Sequence, residues 1–70
     1  MDGRDCLKEL GNRIRAIRLQ HRLTQIELAI KCEFDRNYIG MLERGERNPT
    51  YLTLCKIAKH LEMSVSDLIK

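Results

Sequence analysis

The strongest constraint on this chain is its punctuation. Thr24, Asp35, Thr50 and Ser64 are all residue types that favour the N-cap of a helix, and each stands just before a short apolar-periodic run. Thr24 is followed three residues on by Glu27, the capping box in which hydroxyl and carboxylate bond each other's backbone N–H. Ser64-Val65-Ser66-Asp67 repeats that logic with a shorter acid. Gly45 stands where a left-handed residue closes a helix, and Pro49 disfavours a helical Asn48 before it. Segments so marked leave room only for short helices.

Ahead of them, Leu7, Leu10, Ile14 and Ile17 recur at helical spacing, with Asp5 as the expected cap. The pattern predicts an all-α chain of five helices, at about 6–20, 25–31, 36–44, 51–61 and 65–69. No strand alternation, internal repeat or linker interrupts it, so residues 1–70 read as one domain. A chain this short buries only about 60% of its unfolded surface and commonly leans on a partner. With Phe34, Tyr38 and Tyr51 as its whole aromatic set, its core has to be aliphatic.

The net charge of +3 permits nucleic-acid binding without establishing it. Arginine supplies eight of the thirteen cationic side chains, which favours forked recognition of phosphates and bases. Cys6, Cys32 and Cys55 are an odd number, far apart, with no Cys-x-x-Cys, which argues against a disulfide framework or a zinc site. They read as reduced thiols, with Cys32 and Cys55 in the core. His21 and His60 are isolated, and no nucleophile–base set or glycine-rich phosphate loop accompanies them, so neither an enzyme nor a cofactor is expected. No apolar run nears the roughly 18 residues of a membrane span and no signal pattern opens the chain, which points to an unprocessed cytoplasmic protein.

The second and third helices, joined by the short break Cys32-Glu33-Phe34, form a helix-turn-helix over about 25–44. At roughly 100° per residue, Ile39 and Leu42 face inward while Arg36, Asn37, Gly40, Met41 and Arg44 share the outer face. Arg36 suits guanine, Asn37 adenine and Met41 a thymine methyl, and Gly40 lets a backbone come close. Flanking phosphate contacts are expected from Thr24, Gln25, Tyr38, Arg44, Arg47 and Asn48, with Gln25 opening the second helix. Arg18 and Glu43 each lie at the edge of an apolar stripe and read as an interhelical ion pair.

These residues resemble the Cro/phage-repressor-like (XRE) helix-turn-helix family over about residues 10–69. The likeness rests on Ile14-Arg15-x-x-Arg18, Leu23-Thr24-Gln25-x-Glu27-Leu28-Ala29, Leu54-x-x-Ile57-Ala58 and the run Tyr38 to Thr50. That last run is also similar to controller proteins of restriction–modification systems. The resemblance implies a lambda-repressor-like five-helix fold and a dimeric transcription regulator, often autoregulatory, on a two-fold DNA operator. It implies a DNA-backbone contact for Gln25, base contacts for Arg36, Asn37, Gly40 and Met41, and a structural ion pair for Arg18 and Glu43.

Two departures stand out: Glu33 where the family often has glycine, and Asp35 where it more often has Ser or Thr. Leu52, off the stripe of the fourth helix, and the C-terminal Met63, Val65, Leu68 and Ile69 are the candidates for a dimer interface, some of them expected to fill the domain's own core instead. RNA polymerase is a further partner, through Glu43 or Glu46. The rival reading is a protein-interaction or antitoxin-type module built on the same fold.

Overall fold

The computed structural model describes residues 3–70 as five helices. They are α1 (Gly3–Gln20), α2 (Gln25–Lys31), α3 (Tyr38–Glu43), α4 (Tyr51–His60) and α5 (Val65–Leu68), with no strand among the described residues. The all-α expectation holds, and the helix starts explain most of it. Thr24 accepts the Glu27 N–H at 3.0 Å while Glu27 accepts the Thr24 N–H at 2.8 Å, the complete capping box. Thr50 and Ser64 accept the Thr53 and Asp67 N–H groups in the same manner.

The ends of α1 to α4 share one backbone solution. The two residues beyond each C-cap return their N–H groups to the last turn, as in Leu23 to Arg18 and Phe34 to Ala29. Each closure needs one left-handed residue, and these are Arg22, Glu33, Gly45 and Glu62, with φ of 57°, 60°, 76° and 56°. Only one of the four is glycine. Glu33 therefore occupies the left-handed turn position itself, with no rearrangement of the turn. Leu23, Phe34 and Met63, the residues that follow, tuck back against the core.

Two helices start elsewhere than the sequence predicts. Asp5 lies inside the first turn of α1, where a negative charge complements the helix dipole, and does not cap it. Asp35 does not open α3 directly. Its carboxylate accepts the Asn37 N–H at 2.9 Å and its carbonyl accepts the Tyr38 N–H at 3.0 Å. That hydrogen-bonded turn delays the helix to Tyr38, so Arg36 and Asn37 stand ahead of it.

The core is aliphatic, as the composition requires: Ile14, Leu28, Ile39, Ile57, Leu61 and Leu68 are sealed, with Cys32 beside them. Each such side chain contributes about 2 kcal/mol, a large share of the 4–10 kcal/mol or so that a domain this size holds. Cys32 sits in the core, where burial pushes its thiol up, whereas Cys55 is only half-buried and Cys6 is exposed. Helix α2 keeps two apolar side chains on its outer side. Leu28 and Ala29 are buried, but Ile26 and Ile30 remain 40% and 65% exposed.

Helix α1 holds the rest in place. Gly11 is buried where α1 crosses the end of α3, and a Cβ there would strike the Leu42 carbonyl and come within 2.6 Å of the Glu43 carbonyl. At α5, Arg13 donates to the Asp67 carbonyl at 2.6 Å and the Leu68 carbonyl at 2.7 Å, satisfying carbonyls that the helix end leaves open.

Candidate nucleic-acid interface

The last turn of α3 is bound tightly. Arg18, at the end of α1, donates to both oxygens of Glu43 at 2.6 and 3.0 Å, and its third nitrogen reaches the Leu23 carbonyl at 2.7 Å. Both side chains are buried, so the pair is the interhelical brace that the stripe edges suggested. Two charges taken from water persist because the geometry is bidentate and the remaining polar atoms find partners. One of those partners is Gln25, whose amide nitrogen donates to Glu43 at 3.0 Å. Among the described residues no buried side-chain nitrogen or oxygen is left without a partner.

The opposite end of the segment is open. Arg36 and Asn37 are exposed, carried on the turn that Asp35 organises, while Ile39 and Leu42 drive the helix behind them into the core. Met41 is half-buried on the outer side. Tyr38 is half-buried against Phe34, their rings edge to face with centroids 5.0 Å apart. Lys56 lies over the Phe34 ring at 5.6 Å, tying the turn to α4. The turn that presents Arg36 and Asn37 is thus supported from beneath.

Gly40 is not open groove surface, contrary to the sequence reading. It is buried, because the Gln25 side chain lies over it: a Cβ on Gly40 would meet the Gln25 amide oxygen at 3.0 Å, with the Arg44 Nη1 next at 3.2 Å. The glycine makes room for a neighbouring side chain. A helical projection of α3 alone cannot reveal this, since the covering atom belongs to α2.

The flanking cations and polar groups lie outside. Arg44, Arg47, Asn48 and Thr24 are exposed, and Gln25 is half-buried. Arg44 makes a bidentate pair with Glu46 at 2.9 and 3.2 Å. That hydrogen bonding holds the Glu46 carboxyl below the usual carboxylate range and raises the Arg44 guanidinium. With both partners more than half exposed, the pair is weak. Glu43, expected to be able to meet polymerase, is buried in its brace and presents no acidic surface; Glu46 does.

The C-terminal patch also divides. Leu68 is fully buried and belongs to the core, not to a dimer surface. Met63 and Val65 are half-buried against that core, while Leu52 and Ile69 are 75% and 51% exposed, with Tyr51 beside Leu52 in the chain.

Two short helices, α2 and α3, joined through the turn at Glu33 and braced to α1 by Arg18, are a helix-turn-helix arrangement, and the helix-turn-helix (HTH_3) family profile matches residues 14–68. The chain belongs to that family. It is 40% identical over 60 residues to the immunity repressor protein of Bacillus phage phi105, covering 86% of this chain. It spans 42% of that repressor's length. It is 38% identical over 60 residues to the control protein C.BamHI of Bacillus amyloliquefaciens, covering 84% of this chain and 74% of that one. Among solved structures, the restriction-modification controller protein C.AhdI from Aeromonas hydrophila superposes with a TM-score of 0.84 at 36% identity. That likeness covers 91% of this chain and 96% of C.AhdI.

Proposed function

We propose that this chain binds a two-fold-symmetric DNA operator as a homodimer and acts there as a regulator of the controller-protein type, in the cytoplasm. The coarser statement rests on the family and its relatives: the chain is a DNA-binding transcriptional regulator. The observation that carries the finer reading is the free turn before α3. Arg36 and Asn37 are exposed there, on a segment whose far end is locked to α1 and α2.

In this reading Arg36 takes guanine through its two-pronged donor, Asn37 takes adenine, and Met41 packs on a thymine methyl. Gly40 drops out of the base-contacting set because Gln25 covers it. Arg47, Asn48, Thr24 and Tyr38 supply backbone contacts, joined by Arg44 once it exchanges Glu46 for a phosphate. Leu52 and Ile69, with Met63 and Val65 at their margin, form the dimer contact, and Glu46 is the acidic group available to RNA polymerase. No step of this function is catalytic. No described helix is long and apolar enough to cross a membrane.

The protein-interaction reading has one observation in its favour: Leu19, Ile26 and Ile30 are all 40% exposed or more. Selection of duplexes from a random pool, followed by anisotropy titrations at several salt concentrations, separates the two. An enriched palindrome with half-sites about 34 Å apart and a steep salt slope is the expected result. Equal, weak binding to every duplex would overturn the operator reading and favour a protein partner.

A further inference from the structure

Gln25 reaches from α2 to both the buried brace and Gly40 on α3. Its amide nitrogen donates to Glu43 at 3.0 Å, on the same oxygen that Arg18 takes at 3.0 Å. Its amide oxygen lies over Gly40, 3.0 Å from where a Cβ would stand. The carboxamide is therefore held at two points of α3, one turn apart along the helix. A glycine in mid-helix costs about 1 kcal/mol against alanine, so the bare backbone at Gly40 needs a reason, and the seated side chain is one.

Helix α3 has only six residues and needs such a hold. Its inner side is fixed by Ile39 and Leu42, and its end by Arg18. Gln25 bears on the helix from α2, off to one side of the apolar pair. Its hydrogen bond at Glu43 and its seat over Gly40 add a hold from α2 to those inner contacts.

We propose that Gln25 is a positioning residue for the recognition helix, its carboxamide clamped between Glu43 and Gly40 so that it sets how Arg36 and Asn37 meet base edges. The proposal rests on the reading that this segment reads DNA. It differs from a backbone contact by Gln25, because a phosphate ligand affects all sequences alike whereas a positioning residue affects discrimination.

Two variants test it in the full chain, with binding to the selected operator and to a scrambled duplex measured across salt, beside thermal unfolding. Gln25→Met keeps the shape and removes the donor. It is expected to lower the operator-to-scrambled affinity ratio by about tenfold, the effect of one hydrogen bond to a charged group, with the salt slope unchanged. Gly40→Ala keeps Gln25 but fills its seat, and the atoms that a Cβ meets, the Gln25 amide oxygen at 3.0 Å and the Arg44 Nη1 at 3.2 Å, are both ends of flexible side chains. It is expected to lower the same ratio while thermal stability holds or rises, since alanine favours the helix.

Equal loss on both duplexes for Gln25→Met would make Gln25 a phosphate ligand only and overturn the proposal. So would an unchanged ratio in Gly40→Ala. If the unaltered chain shows no operator preference, the DNA reading falls and the proposal falls with it, an outcome visible before either variant is made.

Discussion

The two ends of the segment from Asp35 to Arg44 are built on opposite terms. Its C-terminal end is dense with partners: Glu43 is held by Arg18 and Gln25, and its backbone lies against Gly11 at a distance no Cβ would permit. The N-terminal end has Arg36 and Asn37 in water, on a turn pinned only by Asp35 and the Phe34–Tyr38 stack. A reading head needs both. Side chains committed to the fold are unavailable to a ligand, and side chains free for a ligand cannot orient themselves. The difference predicts that substitutions at one end change stability and at the other change recognition.

The largest effect is expected at the locked end. Arg18→Ala leaves the Glu43 carboxylate buried and short of its cation, a loss of about 3–5 kcal/mol that would unfold much of so small a domain. Urea denaturation followed by circular dichroism measures it; a loss under about 1 kcal/mol would mean the brace is solvated and the contrast false. Gly11→Ala comes next, at about 2–3 kcal/mol, because backbone carbonyls cannot yield as side chains do. A variant as stable as the parent would show that α1 and α3 can separate freely.

At the free end, Arg36→Ala is expected to leave the melting temperature unchanged and to cost about 1–3 kcal/mol of operator binding, with relaxed preference at one base pair. Arg47→Ala should weaken all duplexes alike and flatten the salt slope by about one. Should Arg36→Ala behave like Arg47→Ala, the leading turn would be a phosphate clamp and not a reader. The smallest effect sits between the two helices. Glu33→Gly relieves a left-handed side chain and is expected to stabilise by at most about 1 kcal/mol, with operator preference intact. A fall in preference would show that Glu33 itself shapes the turn.

Much of the fold was legible from residues that act on their own neighbours. Thr24 and Glu27 close a capping box within four residues, and Gly45 ends a helix by its own φ, so each is recognisable in isolation. The Arg18–Glu43 brace was legible too, because stripe edges on two helices must meet when the stripes pack. Leu68 was misplaced on the surface, and Gly40 was given to DNA, because solvent exposure depends on what other helices bring over a position. Arg13 was not singled out at all: its partners are carbonyls of Asp67 and Leu68, groups every residue carries and no sequence marks.

The sequence by itself determined the helix boundaries set by caps, the aliphatic core, the helix-turn-helix and the cationic polar face, since these follow from local hydrogen bonding and periodic burial. Only the tertiary structure decided which glycines are close approaches, which apolar residues stay outside, and that Gln25 faces the recognition helix. Those facts depend on pairs of atoms far apart in the chain, brought together by the packing of α1 and α2 on α3.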